Sequence, residues 1–220
     1  GDQRPITQMH WGGGTPTYLD HAQITELMHL LASHFRLLDK GYREYSIEID
    51  PRTVENSTIA LLKGVGFNRI SLGIQDFDPL VQKAVNRVQS YPQIASLVDC
   101  IRAHNFRSLS FDLIYGRQKQ TLDDWTSELK QALNMAIDHL SLYQLTIEQG
   151  TAFGDRYNAG KLAGLPSDDL GADMYEATQD LCGEAGMPSY EVSNHARDGA
   201  QSRHNLVYWR YGDYVGIGPG

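Results

Sequence analysis

The polar and apolar positions along the chain switch repeatedly between a two-residue and a 3.6-residue period. Alternation marks strands at Thr7–Trp11, Tyr45–Asp50, Arg69–Gln75, Ser108–Tyr115 and His139–Ile147. Helical spacing lies between them, at His21–Phe35, Val54–Lys63, Pro79–Val85, Pro92–His104 and Leu122–Ala136. Gly14, Pro51, Gly64, Gly66 and Pro92 punctuate the junctions. β-rich runs alternating with helices predict βα units around a parallel sheet.

Side chains of a strand alternate between its two faces. The second strand divides into Tyr45, Ile47, Ile49 and Ser46, Glu48, Asp50. The third divides into Ile70, Leu72, Ile74 and Ser71, Gly73, Gln75, and the fourth into Leu109, Phe111, Leu113 and Ser108, Ser110, Asp112. Helices cover one face of such a sheet, and the apolar sets suit that role. The opposite face collects carboxylates, a glutamine and small residues, where a closed barrel packs branched apolar side chains. Unpartnered buried carboxylates are costly, so this face is expected to line a polar, ligand-holding cavity. The alternative is an open antiparallel sheet with one solvated face, which the intervening helices disfavour.

After Glu148 the pattern changes. Gln149–Pro166 is glycine-rich and reads as a loop with a short helix. Ser167, Asp168 and Asp169 then cap a long helix running to about Ala185, closed by Gly186 and Pro188. The remainder reads as short strands or a hairpin at Ser189–Ser193, Asn205–Arg210 and Tyr214–Ile217. The expected organisation is a body over residues 1–150 and a C-terminal helix-and-hairpin appendage over residues 151–220. The chain lacks an initiator Met and stops in a Gly-rich turn, so both ends read as cuts.

Composition narrows the function classes. The formal net charge of −8 argues against a broad nucleic-acid footprint. No apolar run approaches the length of a membrane span, and the first residues lack the apolar core of a signal peptide. Cys100 and Cys182 are too few and too far apart for a disulfide framework and read as buried thiols of a reduced, cytoplasmic compartment.

The first strand runs into His10-Trp11-Gly12-Gly13-Gly14-Thr15-Pro16-Thr17. Glycines there permit close backbone approach to a ligand or positive φ, and exposed N–H groups can receive a carboxylate, a phosphate or the edge of a small molecule. The turn matches neither G-x-G-x-x-G nor a P-loop. It does occupy a strand's C-terminal end, where βα folds place their sites.

The motifs GGGTPT, SIEIDP, FNRISLGIQDF, VNRVQ and FDLIYG, in this order, resemble the radical S-adenosylmethionine (radical SAM) proteins that include the oxygen-independent coproporphyrinogen III oxidase and the haem chaperone HemW. The likeness covers nearly the whole chain and implies an α/β fold, an incomplete open (β/α)6-type barrel, TIM-like, with five strands present and a C-terminal α+β appendage. It implies that Gly12, Gly13, Gly14 and Thr15 receive the methionine amino group of S-adenosylmethionine, and that Glu48 contacts the same amino-acid portion. Gln75 and Asp112 correspond to groups reaching the ribose hydroxyls, and Arg87 to an arginine for the methionine carboxylate. Without the resemblance, Arg87 is an ordinary solvated helical charge.

The likeness is divided. HWGGGTPTYL and QDFDPLVQKAVNRVQ are oxidase-like, whereas HLSLYQLTIEQGTAFG, PSYEVSNHA and RHNLVYWRYGDYVGIGPG are HemW-like. The join falls around Asn105–Gln120, where GRQKQT departs from the oxidase's GLPKQT. His204, Tyr208 and Trp209 match the HNxxYW motif proposed as haem-binding in HemW: the imidazole offers an axial ligand and the aromatic rings a porphyrin-packing surface. The competing reading is a polar turn whose aromatic residues anchor the last hairpin. His10 and His195 are secondary candidates that read as structural.

The family's four-iron cluster is held by a Cys-x-x-x-Cys-x-x-Cys motif upstream of the glycine turn, and the 220 residues contain no such motif, hence no metal ligands for the cluster. The resemblance therefore implies a radical SAM oxidoreductase of porphyrin metabolism that decarboxylates the propionates of coproporphyrinogen III through a 5′-deoxyadenosyl radical. It also implies an electron donor for the cluster and a chain inactive by itself. The rivals are a HemW-type haem chaperone without decarboxylase activity and a cluster-free barrel lyase.

Overall fold

The computed structural model describes residues 4–77, 82, 89–135 and 137–218. Five parallel strands form a sheet in chain order: β1 (Gln8–Trp11), β2 (Glu44–Ile49), β3 (Arg69–Gln75), β4 (Ser108–Tyr115) and β5 (His139–Gln144). A short strand, β6 (Asn194–Ala196), adds antiparallel to β5. The sheet does not close. Its sequential parallel order, with helices between the strands, is that of the expected incomplete, TIM-like barrel.

Helices α1 (His21–His34), α2 (Asn56–Gly64), α3 (Tyr91–Ala103) and α4 (Leu122–Leu133) connect successive strands. Three of them start at boxes their sequences announce: Asp20 with Gln23, Ser90 with Gln93 and Thr121 with Asp124 each exchange side-chain and backbone bonds. The apolar strand face, Ile47, Ile49, Ile70, Leu72, Phe111, Leu113, Leu140 and Leu142, is buried in one core with Ile24, Ile59, Leu62, Ile94 and Trp125 of the helices. The helix expected at Pro79–Val85 lies outside the described residues.

The glycine-rich segment contains α5 (Ala152–Asn158), and Ser167 caps α6 (Asp168–Glu184). Trp125 Nε1 donates to Thr178 Oγ1 at 2.8 Å, fastening α6 to α4. The C-terminal hairpin is corrected. Ser189–Ser193 holds only an isolated bridge from Ser189 to His195, and the strand comes immediately after it. Residues expected as a strand at Asn205–Arg210 form a helix, α7 (Arg203–Trp209), and Tyr214–Ile217 belongs to no regular element. The β-formers Val207, Tyr208 and Trp209 suggested a strand, but they are consecutive rather than alternating. Ser202 accepts the Asn205 N–H as an N-cap, and the Arg203 and His204 N–H groups point at Glu44 Oε1.

Candidate active site: the polar face of the open barrel

The face opposite the helices is a ladder of polar groups in register. Glu48 pairs with Ser71, Gly73 with Asp112, and Asp112 with Ser141 across β2, β3, β4 and β5. Extending the alternation to β1 and β5 adds His10, His139, Ser141 and Tyr143, which the division of only three strands had passed over. At the N-terminal end of the strands the ladder is filled by protein. Arg69 Nη1 donates to Ser108 Oγ at 3.1 Å and to the Ala200 carbonyl at 2.8 Å, with Glu44 at 3.8 Å. His139 Nδ1 meets Ser110 Oγ and its Nε2 meets Tyr190 Oη, each at 2.7 Å. Burial pushes the His139 imidazolium well below the usual histidine range.

Toward the C-terminal end the ladder opens at the glycine turn. Gly13 and Gly14 have φ of +75° and +58°, and among the described residues no atom stands near where a Cβ would be, so these residues leave the backbone bare on that side. A Cβ on Gly12 would lie 2.4 Å from His10 Nε2 and 2.9 Å from Glu48 Oε1. The turn and Glu48 are therefore brought together: Gly13 N–H donates to Glu48 Oε2 at 3.4 Å, and His10 Nε2 lies 3.2 Å from Glu48 Oε1. The His10 hydrogen bond, stronger than the opposing effect of burial, holds the Glu48 carboxyl below its usual range. Thr15 opens a single 3₁₀ turn, Pro16–Tyr18, whose Thr17 hydroxyl meets Thr53 after β2 at 3.1 Å.

Asp112 behaves in the opposite way. Burial lifts its carboxyl to about 6 against the pull of the Ser71 and Ser141 hydroxyls, and the Glu48 charge adds to the rise. Ser71 Oγ donates to both carboxylate oxygens, at 2.8 and 2.9 Å. Gln75 ends β3 at a register slip after Gly73 and has φ of +67°, in the left-handed region that non-glycine residues avoid. Strand alternation therefore stops short of Gln75. Asp50, assigned to the same face, turns back onto Arg52, with Arg52 Nη2 at 2.5 Å from Oδ2. Arg87 lies outside the described residues.

The aromatic candidates divide. The His204 ring stacks on His10 with centroids 3.9 Å apart and planes 20° from parallel, and Tyr208 meets it edge-on at 5.0 Å. Burial depresses the His204 imidazolium to about 4. Trp209 is more than half exposed and makes no ring contact among the described residues. His195 is buried on β6 with neither ring nitrogen hydrogen-bonded among the described residues, and burial brings it to about 4. Cys182 is buried in α6, its thiol pushed up to about 12, and Cys100 is partly buried in α3, so neither is a reactive thiolate. No described helix is long and apolar enough to cross a membrane.

Known proteins share this fold. The oxygen-independent coproporphyrinogen III oxidase of Pseudomonas aeruginosa is 37% identical over 98% of this chain and 49% of its own length. The heme chaperone HemW of Lactococcus lactis is 35% identical over 98% of this chain and 56% of its own. The structure of coproporphyrinogen III oxidase (HemN) from Escherichia coli superposes with a TM-score of 0.80 at 35% identity, covering 94% of this chain and 46% of that one. The chain thus spans about half the length of the curated relatives it matches. A model of the radical SAM superfamily matches residues 1–132, and the chain belongs to that superfamily.

Proposed function

We propose that these residues form the S-adenosylmethionine-binding barrel of a radical SAM oxidoreductase of porphyrin metabolism, one that oxidatively decarboxylates coproporphyrinogen III. The observation that carries the reading is the junction of the bare glycine turn with Glu48, at the strand ends of a polar barrel face. A backbone without Cβ atoms on one side and a fixed carboxylate beneath it suit an α-amino acid group. Gly12, Gly13, Gly14, Thr15 and Glu48 would hold the methionine portion, with Arg87 at its carboxylate. Asp112 and Gln75 would take the ribose hydroxyls, which would add donors to the Asp112 carboxylate beside those of Ser71 and Ser141. S-adenosylmethionine bound beside a reduced four-iron cluster supplies one-electron chemistry. The chain's own part is to bind, orient and exclude water.

The cysteines for the cluster are not among the 220 residues, so we assign reductive cleavage to the longer protein and none to this chain alone. An electron donor and a cytoplasmic setting belong to the same reading. Binding is tested by calorimetry with S-adenosylhomocysteine. Glu48→Gln should weaken it at least tenfold, since a charge-assisted bond is worth about 1.5–3 kcal/mol. Equal affinities would remove Glu48 from the site.

A specific observation favours a second reading, a haem-binding chaperone. His204 lies against the candidate cofactor site and Tyr208 packs on it. Turnover of coproporphyrinogen III by the full-length protein supports the oxidase. A Soret shift on adding haem, lost in His204→Ala, with no turnover, supports the chaperone.

A further inference from the structure

We propose that His10 is a positioning residue that orients the Glu48 carboxylate toward the ammonium group of an amino-acid moiety, and that His204 holds His10 in place. The proposal rests on the reading of Glu48 as the receiver of the amino-acid portion of S-adenosylmethionine.

Glu48 has a side chain 43% exposed, and a glutamate so placed samples several rotamers unless something fixes it. Two contacts do so from opposite sides, His10 Nε2 on Oε1 at 3.2 Å and Gly13 N–H on Oε2 at 3.4 Å. A carboxylate has about four acceptor directions, so holding each oxygen once leaves lone pairs for an incoming ammonium. His10 is itself fixed. Its Nδ1 lies 2.8 Å from Ser46 Oγ, and with that hydroxyl donating to Nδ1 the neutral ring carries its proton on Nε2 and gives it to Glu48 Oε1. One face of the imidazole is covered by His204, stacked at 3.9 Å. Gly12 gives an independent sign that this contact is built in. Its φ is not positive, yet a Cβ there would strike His10 Nε2 at 2.4 Å and Glu48 Oε1 at 2.9 Å. The first glycine of the turn thus makes room for the His10–Glu48 contact, whereas Gly13 and Gly14 serve backbone conformation. A residue of α7, far along the chain, thereby becomes part of the cofactor site.

The test compares two nucleosides by calorimetry on the 220-residue chain. S-adenosylhomocysteine carries the amino-acid group; 5′-methylthioadenosine keeps the adenosyl and sulfur and lacks it. His10→Ala should weaken the first about tenfold, the worth of one charge-assisted bond, and leave the second unchanged. His10→Gln, which restores an N–H donor, should recover most of the loss. His204→Ala should shift the same ratio in the same direction, and less than additively with His10→Ala. Equal losses for both nucleosides, or an unchanged ratio, would overturn the role of His10 while leaving the cofactor reading standing. If the unaltered chain binds neither nucleoside, the cofactor reading fails, and the role of His10 with it.

Discussion

At the scale of single residues, Asp112 and Glu48 show how one polar face prepares two carboxylates differently. Glu48 is met by an imidazole and a backbone N–H, and its charge is favoured. Asp112 has hydroxyls around it and another carboxylate nearby, and burial lifts it to about 6. An unfolded aspartate titrates near ~3.9, so the native state binds the proton more tightly than the unfolded state does. Stability from this group is therefore fully present below about pH 4 and is lost as pH rises through 6. Asp112→Asn removes that loss: denaturant midpoints should match the parent's at pH 4 and exceed them at pH 7.5. An Asn variant that is less stable at pH 7.5 would contradict the burial argument.

Among the elements, the β4–α4 junction shows what the change to GRQKQT brings. Arg117 sits between Glu128 of α4, 2.5 Å from Oε2, and Asp76 at the end of β3, both nearly inaccessible. Glu128 also accepts the Phe77 N–H at 3.2 Å and Gln120 Nε2 at 3.3 Å. Removing one partner of a buried charge cluster typically costs about 3–5 kcal/mol. Arg117→Met should lower unfolding stability by that order, read as a shift of the urea midpoint. A change under about 1 kcal/mol would mean that Asp76 and Glu128 find sufficient partners without the guanidinium. The helix caps act on a smaller scale: Thr121→Ala should cost about 1 kcal/mol, checked in the same way.

For the whole molecule, the C-terminal segment is bound to the base of the barrel by buried polar groups. Tyr190 Oη accepts from the Ser202 N–H at 3.2 Å and the Asn205 amide at 3.3 Å, so its own proton goes to His139 Nε2. That fixes His139 as neutral, with Nδ1–H donating to Ser110. His195 and His204 are both lowered to about 4, chiefly by burial. Each of these histidines titrates near ~6.5 when unfolded, so the unfolded state binds protons that the native state refuses. Their contribution to stability is full above pH 6.5 and falls as pH drops toward 4. Asp112 acts in the opposite direction over that window, but three groups outweigh one. The chain should lose stability steadily from pH 7 to 4.5, read by guanidinium midpoints. His195→Leu, which replaces an imidazole without hydrogen-bond partners among the described residues, should flatten the profile and raise the midpoint at pH 5. A drop at pH 5 equal to the parent's would show that His195 is not among the groups responsible.

The order and class of the elements were legible in the sequence because each strand declares itself over a few residues. Alternation in β2, β3 and β4 separates the core from a polar face, and capping residues beside periodic runs start α1, α3, α4 and α6. The presence of Glu48 and Asp112 on one face follows from that local geometry alone. The tertiary structure decided what local periodicity does not encode. The N-terminus of the Arg203–Trp209 helix is capped locally by Ser202 and is also met by Glu44, a carboxylate of β2 from across the chain. The bulge at Gln75 and the partnership of His10 with Glu48 and His204 are likewise matters of register and approach in space. A two-residue period assigns a side chain to a face, but only the packed sheet sets which groups meet there and what their charges become.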